Sequence, residues 1–448
     1  MNQLNTLTRR HFLRHASLAL AGGATALLVD YPITARTDAA HSASAPPRPQ
    51  PLKFSRDLRD GLRLSRVTNA MWDFSWLTQH YPGGAFPDFS RAADALVERG
   101  FNTVRIDAFP LVIGALRSET ETITIPADPL ANWGMSDRDR EHVVTRELTE
   151  FMRAMKSRGL SVILSSWGRD CKEYPGRIQA LAKDRNGFRK AWTRTLDLLG
   201  SKDLLDPVLY IDLDQEFPYF SPFQSELNEL AHKPIAAGSL ASSMESAGQY
   251  PQGMARLEWK SAQMEYVRSL FSEMLPFFQS RYPRQRFTYS LTSFHTEVRS
   301  LGLQLFDVLE LHLWIHSPRF DSRSGFNSIT KDRGQRSYRD YADRIAAALD
   351  TVGPMLVQEM RNKCAFAQAW SEEIAAPVVT TEAWGPWWHM DHPDLDWTWL
   401  RDWCEQCMKL AAEHKFWGVT PWNYSHPYWK NWSDVRWYRK VNRRFLRS

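Results

Sequence analysis

Along this chain, short runs of apolar and β-branched residues alternate with longer segments whose apolar positions recur every three to four residues. The short runs, at 64–71, 103–109, 161–166, 209–213, 287–292, 308–315, 378–381 and 418–422, predict eight strands. Helical periodicity fills the intervals at 90–99, 138–158, 188–199, 257–278, 338–351, 397–414 and 433–445, with a weak signal at 294–302. Gly100, Gly159 and Gly353 follow three of these segments, where a left-handed residue ends a helix at little cost. Strands alternating with helices predict a parallel βα array. Eight such units in one domain predict a (β/α)8 TIM barrel, with the excess length over the ~250 residues of a plain barrel placed in long loops at the carboxyl face. The stretch 217–253, rich in Ser, Ala, Gly and Pro, is the longest such insertion and is expected to shape a cleft.

The front of the chain does not belong to this pattern. Thr8-Arg9-Arg10-His11-Phe12-Leu13-Arg14 precedes a small-residue apolar stretch at 16–29 and then Ala43-Ser44-Ala45. This reads as a twin-arginine export signal and linker over 1–45, leaving the (β/α)8 domain over 51–448. The apolar stretch, broken by Gly22-Gly23, is shorter than the ~20 residues a membrane span requires. A soluble periplasmic or secreted protein is expected, with no membrane contact after cleavage. Losing residues 1–50 removes five arginines and two aspartates and lowers the formal charge from +5 to +2. So mild a charge argues against a nucleic-acid partner. Cys171, Cys364, Cys404 and Cys407 leave disulfide pairing open; Cys404 and Cys407, three apart on a helical pattern, read as packing residues or as half of a distant disulfide.

The chemistry is suggested first by 19 tryptophans, of which Trp72, Trp76, Trp167, Trp314, Trp384, Trp387, Trp388 and Trp422 fall where strands end. Indole faces stack on the C–H faces of sugars while polar neighbours take the hydroxyls, so a carbohydrate partner is expected. Two glutamates complete the picture. Glu216 in Tyr210-Ile-Asp-Leu-Asp-Gln-Glu-Phe-Pro218 ends the fourth strand, and Glu382 in Pro377-Val-Val-Thr-Thr-Glu-Ala-Trp-Gly385 ends the seventh. Carboxyls on opposite sides of one bond are what glycosidic cleavage requires.

This arrangement resembles clan A of the retaining glycoside hydrolases, and within it the cellulase-like, family-5-type barrels. The resemblance implies Glu216 as acid/base and Glu382 as nucleophile, with Arg105 on strand two, His312 on strand six and Trp422 on strand eight as further site residues. Gln215 stands where the family has an asparagine that binds the sugar 2-hydroxyl, and Trp314 where a tyrosine usually contacts the nucleophile. Substrate contacts are also expected from Trp72, Trp167, Trp384, Trp387 and Trp388. Arg105 is expected to lower the pKa of Glu382 by its charge and keep it ionised, with Glu216 as the proton donor. A β-linked polysaccharide or oligosaccharide is the expected substrate, and a carbohydrate-binding barrel without turnover is the alternative.

Pleat alternation adds that Tyr210, Asp212 and Asp214 share one face of strand four while Ile211 and Leu213 meet the helices. No metal or other cofactor is expected: His389-Met-Asp391-His392 has metal-ligand residue types, but strand one ends Asn69-Ala-Met-Trp72, without a His-x-His. Nucleotide and nucleophile-elbow motifs are absent from the sequence. The basic stretch 436–447 reads as the solvated face of the last helix.

Overall fold

The computed structural model describes residues 64–128, 132–231, 258–326 and 335–448. The export signal and the later part of the 217–253 insertion lie outside the described residues. Eight parallel strands form the barrel: β1 (Val67–Asp73), β2 (Thr103–Asp107), β3 (Ser161–Ser165), β4 (Val208–Asp212), β5, β6 (Leu309–Leu311), β7 (Val378–Thr380) and β8 (Gly418–Val419). β5 consists of two short pieces around Tyr289: Phe287–Thr288 pairs with β4, and Ser290–Leu291 pairs with β6. The ring closes where Val67 on β1 pairs with Gly418 on β8.

Helices cover the outside. Phe89–Glu98 begins where Asp88 accepts the Ser90 and Arg91 N–H groups at 2.8 and 3.1 Å. It ends before Gly100 at φ 77°. The last helix, Val435–Leu446, buries Trp437, Tyr438, Val441 and Phe445 and leaves its arginines outward, as the sequence implied. No described helix is long and apolar enough to cross a membrane.

Two helical expectations change. Of the segment 138–158, Arg140–His142 pairs antiparallel with Ile123–Ile125, and the helix starts only at Val144. Glu147 enforces the boundary by accepting the Val143 N–H at 3.1 Å and holding His142 Nδ1 at 2.7 Å. The segment 338–351 belongs to a 40-residue helix, Gln335–Ile374, that runs through Gly353 and Pro354. Its buried stripe continues through Leu356, Val357, Met360, Cys364, Ala367 and Trp370, so burial outweighs the local stop signal.

Inside the barrel, Val67, Ile163, Tyr210, Val308 and Val379 form an apolar plug toward the amino ends. Polar side chains fill the layer above it. Tyr210 and Asp212 point inward while Ile211 and Leu213 join the helix-side core, as alternation requires. Asp214 does not follow, because β4 ends at Asp212 and the chain turns. It lies buried beside Ser221, where desolvation raises its pKa well above the carboxylate range.

Candidate active site

The centre of the carboxyl-end layer is Arg105 on β2, whose side chain is fully buried. Its Nη2 donates to Asp212 on β4 at 2.6 Å and its Nη1 to Glu382, just beyond β7, at 2.8 Å; its Nε lies 3.4 Å from Glu310 on β6. Burial alone would lower the guanidinium's pKa, but Glu310, Asp212 and Glu382 together raise it, so Arg105 stays charged. Asp212 is held further by the Ser165 hydroxyl at 2.6 Å and the Ser290 N–H at 2.7 Å. Gln215 bridges the cluster: its carbonyl accepts from Arg105 and its amide donates to Glu382.

Glu216 reaches the same opening by a turn rather than by strand alternation. Its backbone is left-handed at φ 47°, and its N–H donates to Ser290 Oγ at 2.9 Å. Its Oε1 lies 2.9 Å from His312 Nδ1 and accepts the Trp314 indole N–H at 3.4 Å. That indole is also 3.1 Å from Thr292 Oγ1. His312 Nδ1 lies 3.8 Å from Glu382 Oε2, so one imidazole faces both glutamates, while its Nε2 lies 3.5 Å from Glu310. A carboxylate oxygen from each glutamate lies within 4.8 Å of the other and of a His312 ring nitrogen.

The electrostatics partly reverse expectation. Burial pushes Glu382 up to about 7, with Glu216 adding to the rise, and His312 and Arg105 only moderate it. Desolvation outweighs the arginine because Glu382 is largely buried and shares the site with a second carboxyl. Burial would lower His312, but Glu382, Glu216 and Glu310 lift it to about 10. Burial likewise opposes Glu310, yet Arg105 and His312 hold it below its ordinary value. Asp212 is raised by burial and by Glu310. Glu216, His312 and Glu382 bring three donor atoms close enough for a metal ion. The same closeness lets a proton pass between His312 and either glutamate.

The tryptophans divide. Trp167 is buried against the cluster, with the Arg105 guanidinium 4.6 Å over its ring, and the half-buried Trp314 touches Glu216. Trp387 is half-buried at the rim, its N–H donating to His316 Nε2 at 3.0 Å. Trp388 is buried with its indole N–H on the Tyr338 hydroxyl at 3.1 Å. Trp72, Trp384 and Trp422, expected as sugar contacts, are instead fully buried. Their indole N–H groups donate to Ser425 O at 2.8 Å, Thr420 O at 2.8 Å and the Tyr438 hydroxyl at 2.6 Å. Trp422 faces the last helix, packing on Trp437 and Tyr438, and does not floor the opening. His389, from the metal-like loop, is buried among Trp397, Trp399 and Tyr424, and burial lowers its pKa to about 3.

Site residues not singled out from the sequence are Ser165, Ser290, Glu310, Asp73 and Asp107. Glu310 lies two residues before His312, and Asp107 two after Arg105, so the period of two that places the known member also marks its neighbour. Asp107 accepts the Phe109 N–H at 2.7 Å, and burial raises it to about 7. Asp73 ends β1, lies 3.3 Å from His426 Nε2 and is raised by burial.

No curated protein matches the chain. A protein described as a candidate glycoside hydrolase, from Parabacteroides distasonis, superposes with TM-score 0.69 at 23% identity, covering 86% of this chain and 94% of its own. GH5_18 from Streptomyces cattleya, solved with GlcNAc, gives 0.45 at 14% identity over 85% and 81%. A glycoside hydrolase family 5 mannosidase from Rhizomucor miehei gives 0.41 at 12% over 86% and 93%. The first of these supports the barrel architecture, and the family model described as sugar-binding cellulase-like matches residues 69–446. Spanning nearly all of the barrel, that match places the chain in the sugar-binding cellulase-like family.

Proposed function

We propose that the protein is an exported retaining glycoside hydrolase that cleaves a β-linked polysaccharide or oligosaccharide. The observation that carries this reading is the convergence of Glu216 and Glu382 on His312, with oxygens within 4.8 Å of each other. Retaining enzymes hold their two carboxyl groups roughly 5–5.5 Å apart, whereas inverting ones leave about 6.5–9.5 Å for a water. Glu382 attacks the anomeric carbon while Glu216 delivers a proton to the departing oxygen. Water then enters on the Glu216 side, gives its proton to that carboxylate and releases the sugar from Glu382. Arg105 and the Gln215 amide hold the Glu382 oxygen that does not attack, and the His312 imidazolium balances the negative charge shared by the pair.

A second reading, a sugar-binding barrel without turnover, is favoured by the family's description and by Gln215 and Trp314 standing where an asparagine and a tyrosine are usual. Hydrolysis of a panel of β-linked glycans by the parent, Glu216→Gln and Glu382→Gln separates the two. Turnover by the parent with loss in both variants supports the enzyme. Binding by all three with no parent turnover supports the second reading. A 2-fluoro glycoside should label Glu382, and a label on another residue of an active protein would remove its assignment.

Export through the twin-arginine route, and hence a periplasmic or secreted location, rests on the Arg9-Arg10 segment alone. Replacing both arginines by lysine in the native host is expected to leave the protein in the cytoplasm.

A further inference from the structure

We infer that the protein attacks chain ends, because the side of the opening that holds the retained sugar is closed by a wall centred on Trp133. The inference rests on the assignment of Glu216 and Glu382 above. Glu382 must face the anomeric carbon and Glu216 the bridging oxygen. The departing part of the substrate therefore lies beyond Glu216, over β4 to β6, and the retained ring lies on the other side, over β8, β1 and β2. In that direction the connection between β2 and β3 crosses the end of β1 and packs on the loop after β8.

Trp133 stacks on Tyr424 at 5.5 Å with planes 14° apart, and lies 6.2 Å from the His426 ring. Gly134 passes so close that a Cβ there would come 2.5 Å from Tyr428 and 2.7 Å from Ser75. The Thr78 hydroxyl donates to Gly134 O at 2.7 Å, and the Gln79 amide donates to Met135 O at 3.2 Å. Trp133 itself is left-handed at φ 51° and half-buried, a strained backbone held by contacts on both sides and presenting part of its ring. The wall links to Glu382 through His426, whose ring lies 6.2 Å from Trp133 and whose Nε2 lies 3.3 Å from Asp73, the carboxyl whose charge acts on Glu382. Arg169 lies over the Phe74 ring at 3.7 Å, close enough to feel both Asp73 and Asp107.

An aromatic back wall beside the half-buried Arg169 guanidinium suits a terminal sugar, its C–H face on the indole and a hydroxyl on Arg169, with the buried Asp73 supplying negative charge behind them. A chain continuing past that sugar would meet Trp133, which Tyr424 backs from behind.

The test uses β-1,4-linked hexaoses of glucose and of mannose, each free and with the non-reducing end blocked by a 4,6-O-benzylidene group. The free hexaose that serves as substrate should be shortened from its end from the first time points, and its blocked form should survive. Equal rates on free and blocked forms, or mid-chain fragments appearing first, would overturn the inference. Trp133→Ala should raise KM about 10-fold while kcat holds, with Trp133→Phe recovering most of the loss. An unchanged KM in Trp133→Ala counts against the wall. If the parent cleaves neither form, calorimetry decides: preference for the free hexaose keeps the wall and removes only the catalytic reading. Equal binding of both forms, or of neither, overturns the wall as well.

Discussion

Arg105 carries more of this molecule than any other single side chain described. It faces Asp212, Glu310 and Glu382 at once, and the fully buried Asp212 and Glu310 have no water to turn to if the guanidinium leaves. Arg105→Leu should therefore cost about 3–5 kcal/mol of folding stability, the scale for stripping a buried pair of one partner, measurable by urea denaturation. Glu382 gives a kinetic prediction. Burial raises it to about 7 and attack requires the carboxylate, so kcat/KM should fall as pH drops below about 7, well above an ordinary carboxylate limb. A limb near pH 4 would contradict it. Glu382→Gln and Glu216→Gln should each lower kcat by about 10³-fold or more. These two positions were legible in the sequence because a strand end fixes a residue's height in a barrel. The tryptophans were not, because the same strand-end position can turn an indole toward the opening, as at Trp314, or into the helix layer, as at Trp422. Charge was misread at Glu382 for a related reason: the neighbouring arginine was visible in the sequence, whereas desolvation depends on everything packed around it.

At the scale of elements, all eight strands were legible from apolar runs, and most helices from their period. What escaped was competition between local signals and tertiary partners, as when Gly353 and Pro354 failed to end a helix with a continuous buried stripe. That helix acts on the site from behind. Lys363 is buried, with Nζ donating to Trp314 O at 2.8 Å and His316 O at 3.3 Å, and so anchors the backbone that sets the Trp314 indole against Glu216. Lys363→Met keeps the length and removes the donor. It should cost about 1–3 kcal/mol through the two unsatisfied carbonyls and reduce kcat/KM, with the melting curve and the kinetics measured on one preparation. A loss of stability with unchanged kinetics would show that the anchor does not reach Glu216. The hairpin of Ile123–Ile125 with Arg140–His142 was missed because each strand has only three residues, too few for alternation to declare itself.

For the whole molecule, pH links the site to the fold. His312 ordinarily titrates at 6.5 and is raised to about 10, so its contribution to stability is complete below about 6.5 and is lost as pH rises through 10. Glu382 and Asp107, both raised to about 7, bind protons in the folded state that the unfolded chain has already released, so stability also declines as pH climbs from about 4 to 7. The melting temperature should fall steadily from mildly acid to alkaline solution, and His312→Gln should flatten the decline between pH 7 and 10.

None of the four cysteines is in a disulfide. Burial raises the thiol pKa of Cys364, Cys404 and Cys407, which lie near one another between two helices and act as packing residues.

The divided fifth strand has its own consequence. A hoop joined by two-residue clasps on either side of Tyr289, as it is on either side of β8, is weaker at those staves than at β2 and β3. On warming, Phe287–Thr288 and Ser290–Leu291 should take up deuterium before β2 and β3, whose five-rung ladder spans Thr103 to Asp107. Because Ser290 touches both Asp212 and Glu216, such breathing would loosen the proton donor before the fold as a whole gave way.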